Sequence, residues 1–211
     1  MLLDIHTHRL PSDTASCILS GCMRTSPYPS EARYISAGIH PWYLTAEDYP
    51  TQREWLAMML DDPRTVALGE AGLDKHCNTP YGLQLQAFRY AIGLSESHHL
   101  PLIIHCVKCF NELIALKKEI MPHTPWIIHG FRGKRQLAES LSANGFYLSF
   151  GERYQPEALV ATPADRLLLE TDESETPIEE LARQAARLRN LPYEEFIENI
   201  TKNINYLFFN R

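Results

Sequence analysis

The sequence predicts an α/β protein, an abbreviated (β/α)8 TIM barrel whose helices are missing or shortened after the first two strands. Three observations carry that expectation. Eight short apolar runs bounded by turn residues recur along the chain. Most of them, such as LII, WII and LLLE, are continuous rather than alternating, as suits a parallel sheet buried on both faces. The later runs are separated by clear helical patterns, which implies right-handed parallel crossovers, and eight strands suit a closed barrel better than an open sheet.

In chain order the expected strands are Leu2–Ile5, Ser16–Leu19, Tyr34–Ile39, Thr65–Leu68, Leu102–Ile104, Trp126–Ile128, Phe146–Phe150 and Arg166–Glu170. Short or irregular segments join the first four; Arg24–Arg33, with Pro27 and Pro29, reads as a loop. Helical patterns cover Gln52–Leu60, Phe110–Met121 and Arg135–Asn144. Thr79-Pro80 offers an N-cap with proline at the first helical position, and Tyr81, Leu85, Phe88 and Ile92 then recur on one face. Thr176-Pro177-Ile178-Glu179 reads as a capping box opening a helix to about Asn190. A last helix near Tyr193–Phe209 carries Phe196, Ile200, Ile204 and Leu207 on one stripe.

Composition bounds the function. With 211 residues, 45% hydrophobic and 22% charged, the chain reads as a single domain over 1–211. No run approaches the roughly 18 apolar residues of a membrane helix, and MLLDIHTHRL is too short in its apolar part for a signal peptide. Five cysteines, an odd number, read as reduced thiols, so the expected location is the cytoplasm. A net charge of −6 argues against a broadly basic nucleic-acid clamp, though bound metals can supply positive charge locally.

Nine histidines in so short a chain need explaining. His6 and His8 end the first strand, and a spacing of two puts both on one face of an extended chain. Glu70 follows the fourth strand, His105 the fifth, His129 the sixth and Asp172 the eighth. All six fall at carboxyl ends, the face where barrel enzymes build their active sites. Four imidazoles and two carboxylates suit one or two divalent ions (Mg, Mn or Zn); with two ions one carboxylate can bridge, and bound water becomes hydroxide near neutral pH.

The ordered set DIHTH (4–8), GIHPW (38–42), GEAGLD (69–74), LPLIIH (100–105), IIHGFRG (127–133), GFYLSFG (145–151) and LLLETD (167–172) resembles the TatD-type metal-dependent hydrolases, an amidohydrolase-like branch associated with deoxyribonuclease activity. TKNINYLF at 201–208 looks like that family's C-terminal helix. The resemblance implies that His6, His8 and Asp172 hold one metal, that His105 and His129 hold the second, and that Glu70 bridges them. Asp172 would also take a proton from the attacking water. His40 matches a family position near the pocket, in a substrate-contacting or an orienting role.

Three departures bear on substrate. Val107, beside Lys108, stands where the family often has an arginine suited to phosphate. Glu173, Ser174 and Glu175 follow Asp172 where a short residue and proline are usual, and the chain is shorter than typical members. Lys75, Lys108 and Arg132 are candidate substrate contacts, although Arg132, Lys134 and Arg135 also suit a solvated first helical turn. Cys106-x-x-Cys109 lacks a second pair and reads as ordinary thiols. His76, His98, His99 and His123 read as solvated, and Phe208-Phe209 as helix packing.

The expected activity is metal-dependent hydrolysis of phosphodiester bonds in DNA or oligonucleotides, with DNA or another phosphate-bearing substrate and no membrane or obligate protein partner. A small-molecule phosphoesterase or amidohydrolase on the same metal pair is the alternative. Glu70 stands where related barrels place a carboxylated bridging lysine, which lowers the amidohydrolase reading. A non-catalytic metal- or nucleic-acid-binding barrel is a third.

Overall fold

The computed structural model describes residues 4–209, so Leu2 and Leu3 of the expected first strand lie outside the described residues. Among the described residues there are eight strands: β1 (Asp4–Thr7), β2 (Cys17–Gly21), β3 (Ile35–Ala37), β4 (Thr65–Asp74), β5 (Leu102–Val107), β6 (Trp126–Ile128), β7 (Phe146–Phe150) and β8 (Leu167–Leu169). Their order in the sheet follows the chain. The helices are α1 (Tyr49–Met59), α2 (Tyr81–His98), α3 (Phe110–Ile120), α4 (Arg135–Ala143), α5 (Pro156–Ala161), α6 (Ile178–Leu188) and α7 (Tyr193–Ile204). No α-helix separates β1 from β2 or β2 from β3, where only a 3-10 turn at Met23–Thr25 occurs, as the abbreviated barrel requires.

Packing divides the chain into two compact units, one formed by the residues up to Leu19 and from Ile127 onward, the other by Ser20–Trp126. In the first unit β1 runs parallel to the start of β2, with Asp4 opposite Cys17 and Thr7 opposite Leu19. A parallel bridge joins Thr7 to Asp172, just beyond β8, and β7 pairs with β8 from Leu148↔Leu167 to Phe150↔Leu169. Ile5, Phe146, Leu148, Phe150 and Leu168 are wholly buried there. In the second unit β4 pairs with β3 and with β5, and all ten of its residues are buried. Continuous apolar strands such as Leu102, Ile103 and Ile104, each wholly buried, are what a sheet covered on both faces demands.

Several element bounds differ from the sequence expectation. β4 continues six residues past Leu68, because Gly69 and Gly72 let the chain pass close to β5 where the apolar run breaks. Glu70 and His105 therefore lie within strands rather than after them. The expected capping box fails: the helix begins at Ile178, no side-chain cap bond forms, and the Thr176 hydroxyl donates to Glu152 at 2.9 Å. On α2 Phe88 and Ile92 are buried as expected, but Gln84 is buried and Tyr81 exposed, so the inward face is rotated somewhat from the expected stripe. The α7 stripe is as expected, with Phe196, Ile200, Ile204 and Leu207 buried, but the turn from Asn205 to Phe209 is of π type. His123 is exposed yet pairs with Glu96 at 3.2 Å, a partner the sequence pattern did not suggest.

Candidate metal centre

In the first unit the parallel ladder places three side chains around one point. His8 N–H donates to Asp172 O at 3.1 Å and Asp172 N–H to His6 O at 2.9 Å, which seats Asp172 between the two histidines. Asp172 takes a left-handed backbone, φ 56°, a conformation aspartate tolerates better than most residues. Its Oδ1 lies 3.5 Å from His8 Nε2 and 3.8 Å from His6 Nε2. Two ligand atoms held about 2.1 Å from a tetrahedral ion stand roughly 3.4 Å apart, so the donor set fits a divalent cation. Asp172 is 25% exposed and reaches solvent, whereas His6 is wholly buried.

His129 follows β6, its ring centroid 4.3 Å from that of His6. Its Nδ1 lies 3.4 Å from Oε1 of Glu170, which also accepts from Gly130 N–H at 2.6 Å. Burial pushes the Glu170 carboxyl up, but the His129 contact and the charges of His129 and His6 outweigh it and hold it below the usual range. A carboxylate behind an imidazole fixes the ring's orientation and raises its basicity as a ligand. Asp4, buried on the same strand as His6, is pushed up to about 7 by burial, against the bonds it accepts from Thr171 hydroxyl and N–H and from His6 N–H. Through Thr171 it ties β1 to the end of β8.

In the second unit Glu70, Gly72 and Asp74 share one face of β4, because strand side chains alternate. A Cβ on Gly72 would lie 2.0 Å from His105 O, and Gly69 has φ 127°, so these two positions need glycine for β4 to approach β5. The Glu70 Oε1 faces His40 Nε2 at 2.9 Å and His105 Nδ1 at 2.6 Å. Trp42 N–H donates to His40 Nδ1 at 3.1 Å, so in neutral His40 the proton sits on Nε2 and points at Glu70. His40 therefore orients the carboxylate. His105 Nε2 lies 3.2 Å from Asp74 Oδ2, which also accepts from Trp42 Nε1–H at 2.7 Å. Burial raises the Asp74 carboxyl, but the bonds from Trp42, the His76 amide and His105 outweigh it and hold it below the usual range.

One donor atom from each of His40, Glu70 and His105, an imidazole nitrogen or a carboxylate oxygen, lies within 4.8 Å of the others, as do those of His6, His8 and Asp172, and of His129, Glu170 and Asp172. Asp74, Glu170 and Asp4, which contact or flank the candidate ligands, are not among the residues that the sequence pattern singles out. A signal for them exists: Asp74 and Glu170 stand at even spacing from Glu70 and Asp172, and Asp4 at even spacing from His6.

The candidate substrate contacts are dispersed. Arg132 lines a cavity of about 300 Å³ with Arg153, Glu152, Glu170, Asp172 and Glu173 in the first unit. Lys75 forms an ion pair with Glu112 and lines a second cavity, about 370 Å³, with Asp74 and Tyr81. Lys108 is exposed with φ 58°. Burial pushes the Cys106 and Cys109 thiols up, which disfavours their thiolate forms.

The family model for TatD-related DNases matches residues 22–209. The metal-dependent hydrolase YabD of Bacillus subtilis is 30% identical over 83% of this chain and 77% of its own length. A protein of Erwinia tasmaniensis named 3'-5' ssDNA/RNA exonuclease TatD is 31% identical over 66% of this chain, and the match spans 57% of that relative's length. The crystal structure of the TatD homologue YJJV from Escherichia coli superposes with a TM-score of 0.82 at 21% identity, covering 98% of this chain and 97% of that one. That likeness shows the (β/α)8 fold. On these matches the chain belongs to the TatD-related DNase family of metal-dependent hydrolases.

Proposed function

We propose that the protein hydrolyses phosphodiester bonds in single-stranded DNA or oligonucleotides, with His6, His8, Glu70, His105, His129 and Asp172 holding one or two divalent ions. The observation that carries this reading is the spacing of Asp172 Oδ1 from two imidazole nitrogens, 3.5 and 3.8 Å. Two histidines per carboxylate favour Mn or Zn over Mg, which prefers oxygen ligands. A bound ion of this kind polarises a phosphoryl oxygen and makes water a nucleophile near neutral pH.

The chain's own groups do the rest. Asp172 reaches solvent and accepts the proton of the attacking water at its carboxylate. Glu70 is held in place by His40 and His105, and Asp74 and Glu170 fix the rings of His105 and His129. Arg132 contributes positive charge beside Asp172. Five free cysteines suit a reducing compartment, so we place the reaction in the cytoplasm; among the described residues no helix is long and apolar enough to cross a membrane.

The test is release of nucleotides from a single-stranded oligonucleotide with Mg, Mn or Zn added in turn, before and after Asp172→Asn. Metal-dependent release that the substitution abolishes is expected. Full release by the variant sinks the assigned mechanism, and small phosphoesters turning over far faster than DNA would favour the alternative substrate class.

A further inference from the structure

Of the three tryptophans, Trp55 and Trp126 are buried, while Trp42 is 56% exposed. An exposed indole is common, but this one makes two hydrogen bonds of its own and sits on a turn pinned by three more. Its Nε1–H donates to Asp74 at 2.7 Å and its main-chain N–H to His40 Nδ1 at 3.1 Å. The 3-10 turn Pro41–Tyr43 that carries it is closed by Tyr43 N–H to His40 O at 3.1 Å. The Thr79 hydroxyl meets Pro41 O at 2.7 Å and Leu44 O at 2.9 Å. The ring stands edge-on to His105 and His40, with centroids 5.5 and 5.0 Å away. Tyr43, next to it, is 39% exposed.

We infer that Trp42 is a stacking platform for a nucleobase of the substrate, a role that rests on the nuclease reading above. A rigid aromatic loses little conformational freedom on binding, and its π-face accepts any base, so it gives affinity without sequence preference. The bond to Asp74 ties the platform to the carboxylate that orients His105, so a base stacked on Trp42 sets the chain's position relative to Glu70 and His105. The negative charge of Asp74 in turn is a reason for the site to hold its substrate by a base rather than by phosphates alone.

Intrinsic tryptophan fluorescence and anisotropy of a labelled short oligothymidylate test this on the full chain, with EDTA present so that nothing turns over. The thymidylate is expected to quench the emission and to bind about tenfold more tightly than an abasic oligonucleotide of equal length. Trp42→Ala is expected to lose about that factor in affinity, and Trp42→Phe, which keeps the ring and loses the N–H, to stay within about threefold of the natural protein. Equal binding of the abasic strand overturns the inference, as does a Trp42→Phe loss matching that of Trp42→Ala, which would leave only the bond to Asp74. Base-dependent quenching without hydrolysis under any metal would defeat the nuclease reading and leave this one standing; hydrolysis without base dependence would do the reverse.

Discussion

Two carboxylates, Asp172 and Glu70, each face a pair of imidazoles, yet they are held in opposite ways. Asp172 is a quarter exposed, sits on a left-handed residue, and faces His6 and His8 at 3.8 and 3.5 Å, the spacing of ligands around an ion. Glu70 is 6% exposed, framed by glycines, and faces His105 and His40 at 2.6 and 2.9 Å, the spacing of hydrogen bonds. The first arrangement leaves a carboxylate able to take a proton from water. The second fixes one in place. Under the proposed function, similar residues are thus set for different roles, and exposure with donor spacing separates them.

The largest effect expected from this contrast is at Asp172. Asp172→Asn keeps the shape and removes the base, so kcat on single-stranded DNA is expected to fall about 10²- to 10⁴-fold at saturating metal. A loss under threefold would mean that the exposed carboxylate carries no proton and that the contrast has been misread. Next comes the frame around Glu70. Gly72→Ala sets a Cβ 2.0 Å from the His105 carbonyl, and the urea midpoint is expected to report a loss of about 3 kcal/mol. An unchanged midpoint would show that β4 can move away from β5 at no cost.

Smaller effects should follow at the orienting carboxylates. Asp74→Asn and Glu170→Gln leave the six expected ligands intact but loosen His105 and His129. Each is expected to weaken metal binding about 10- to 100-fold by titration calorimetry. Affinity unchanged in both would mean that these buried carboxylates serve packing alone.

The candidate ligands stand out in the sequence because metal chemistry and sheet topology would leave the same mark, a histidine or carboxylate closing an apolar run. His6, His8, His105, His129, Glu70 and Asp172 all carry it. Asp74 does not, because the apolar run that announces β4 stops at Leu68, and the six residues beyond owe their strand form to pairing with β5. Glu170 was read as the end of a strand, which it is close to being; its burial against His129 is a tertiary fact. Thr176 shows the converse error, since a local pattern promised a cap and a distant glutamate won the hydroxyl.

Glu96 separates clamping from chemistry, because it is clamped like Glu70 but has no imidazole-rich neighbourhood. It accepts from Thr124 N–H at 2.8 Å and His123 N–H at 3.0 Å, and from the Thr124 hydroxyl and the His123 ring. Burial pushes its carboxyl up, but these bonds outweigh it and bring it from the ordinary 4.5 to about 2. A lowered folded-state value means the ionised form stabilises the fold above pH 4.5, and that stabilisation is lost as pH falls through about 2. Partial exposure screens the contribution, so Glu96→Gln is expected to lose only about 1 kcal/mol at neutral pH. Hydrolysis should be unchanged, and the gap to the natural protein should close on acidification across that window. A gap constant with pH would show that the clamp works through neutral hydrogen bonds. Lost hydrolysis would show that rigidity in this unit, rather than the placement of Glu70 alone, sustains the reaction.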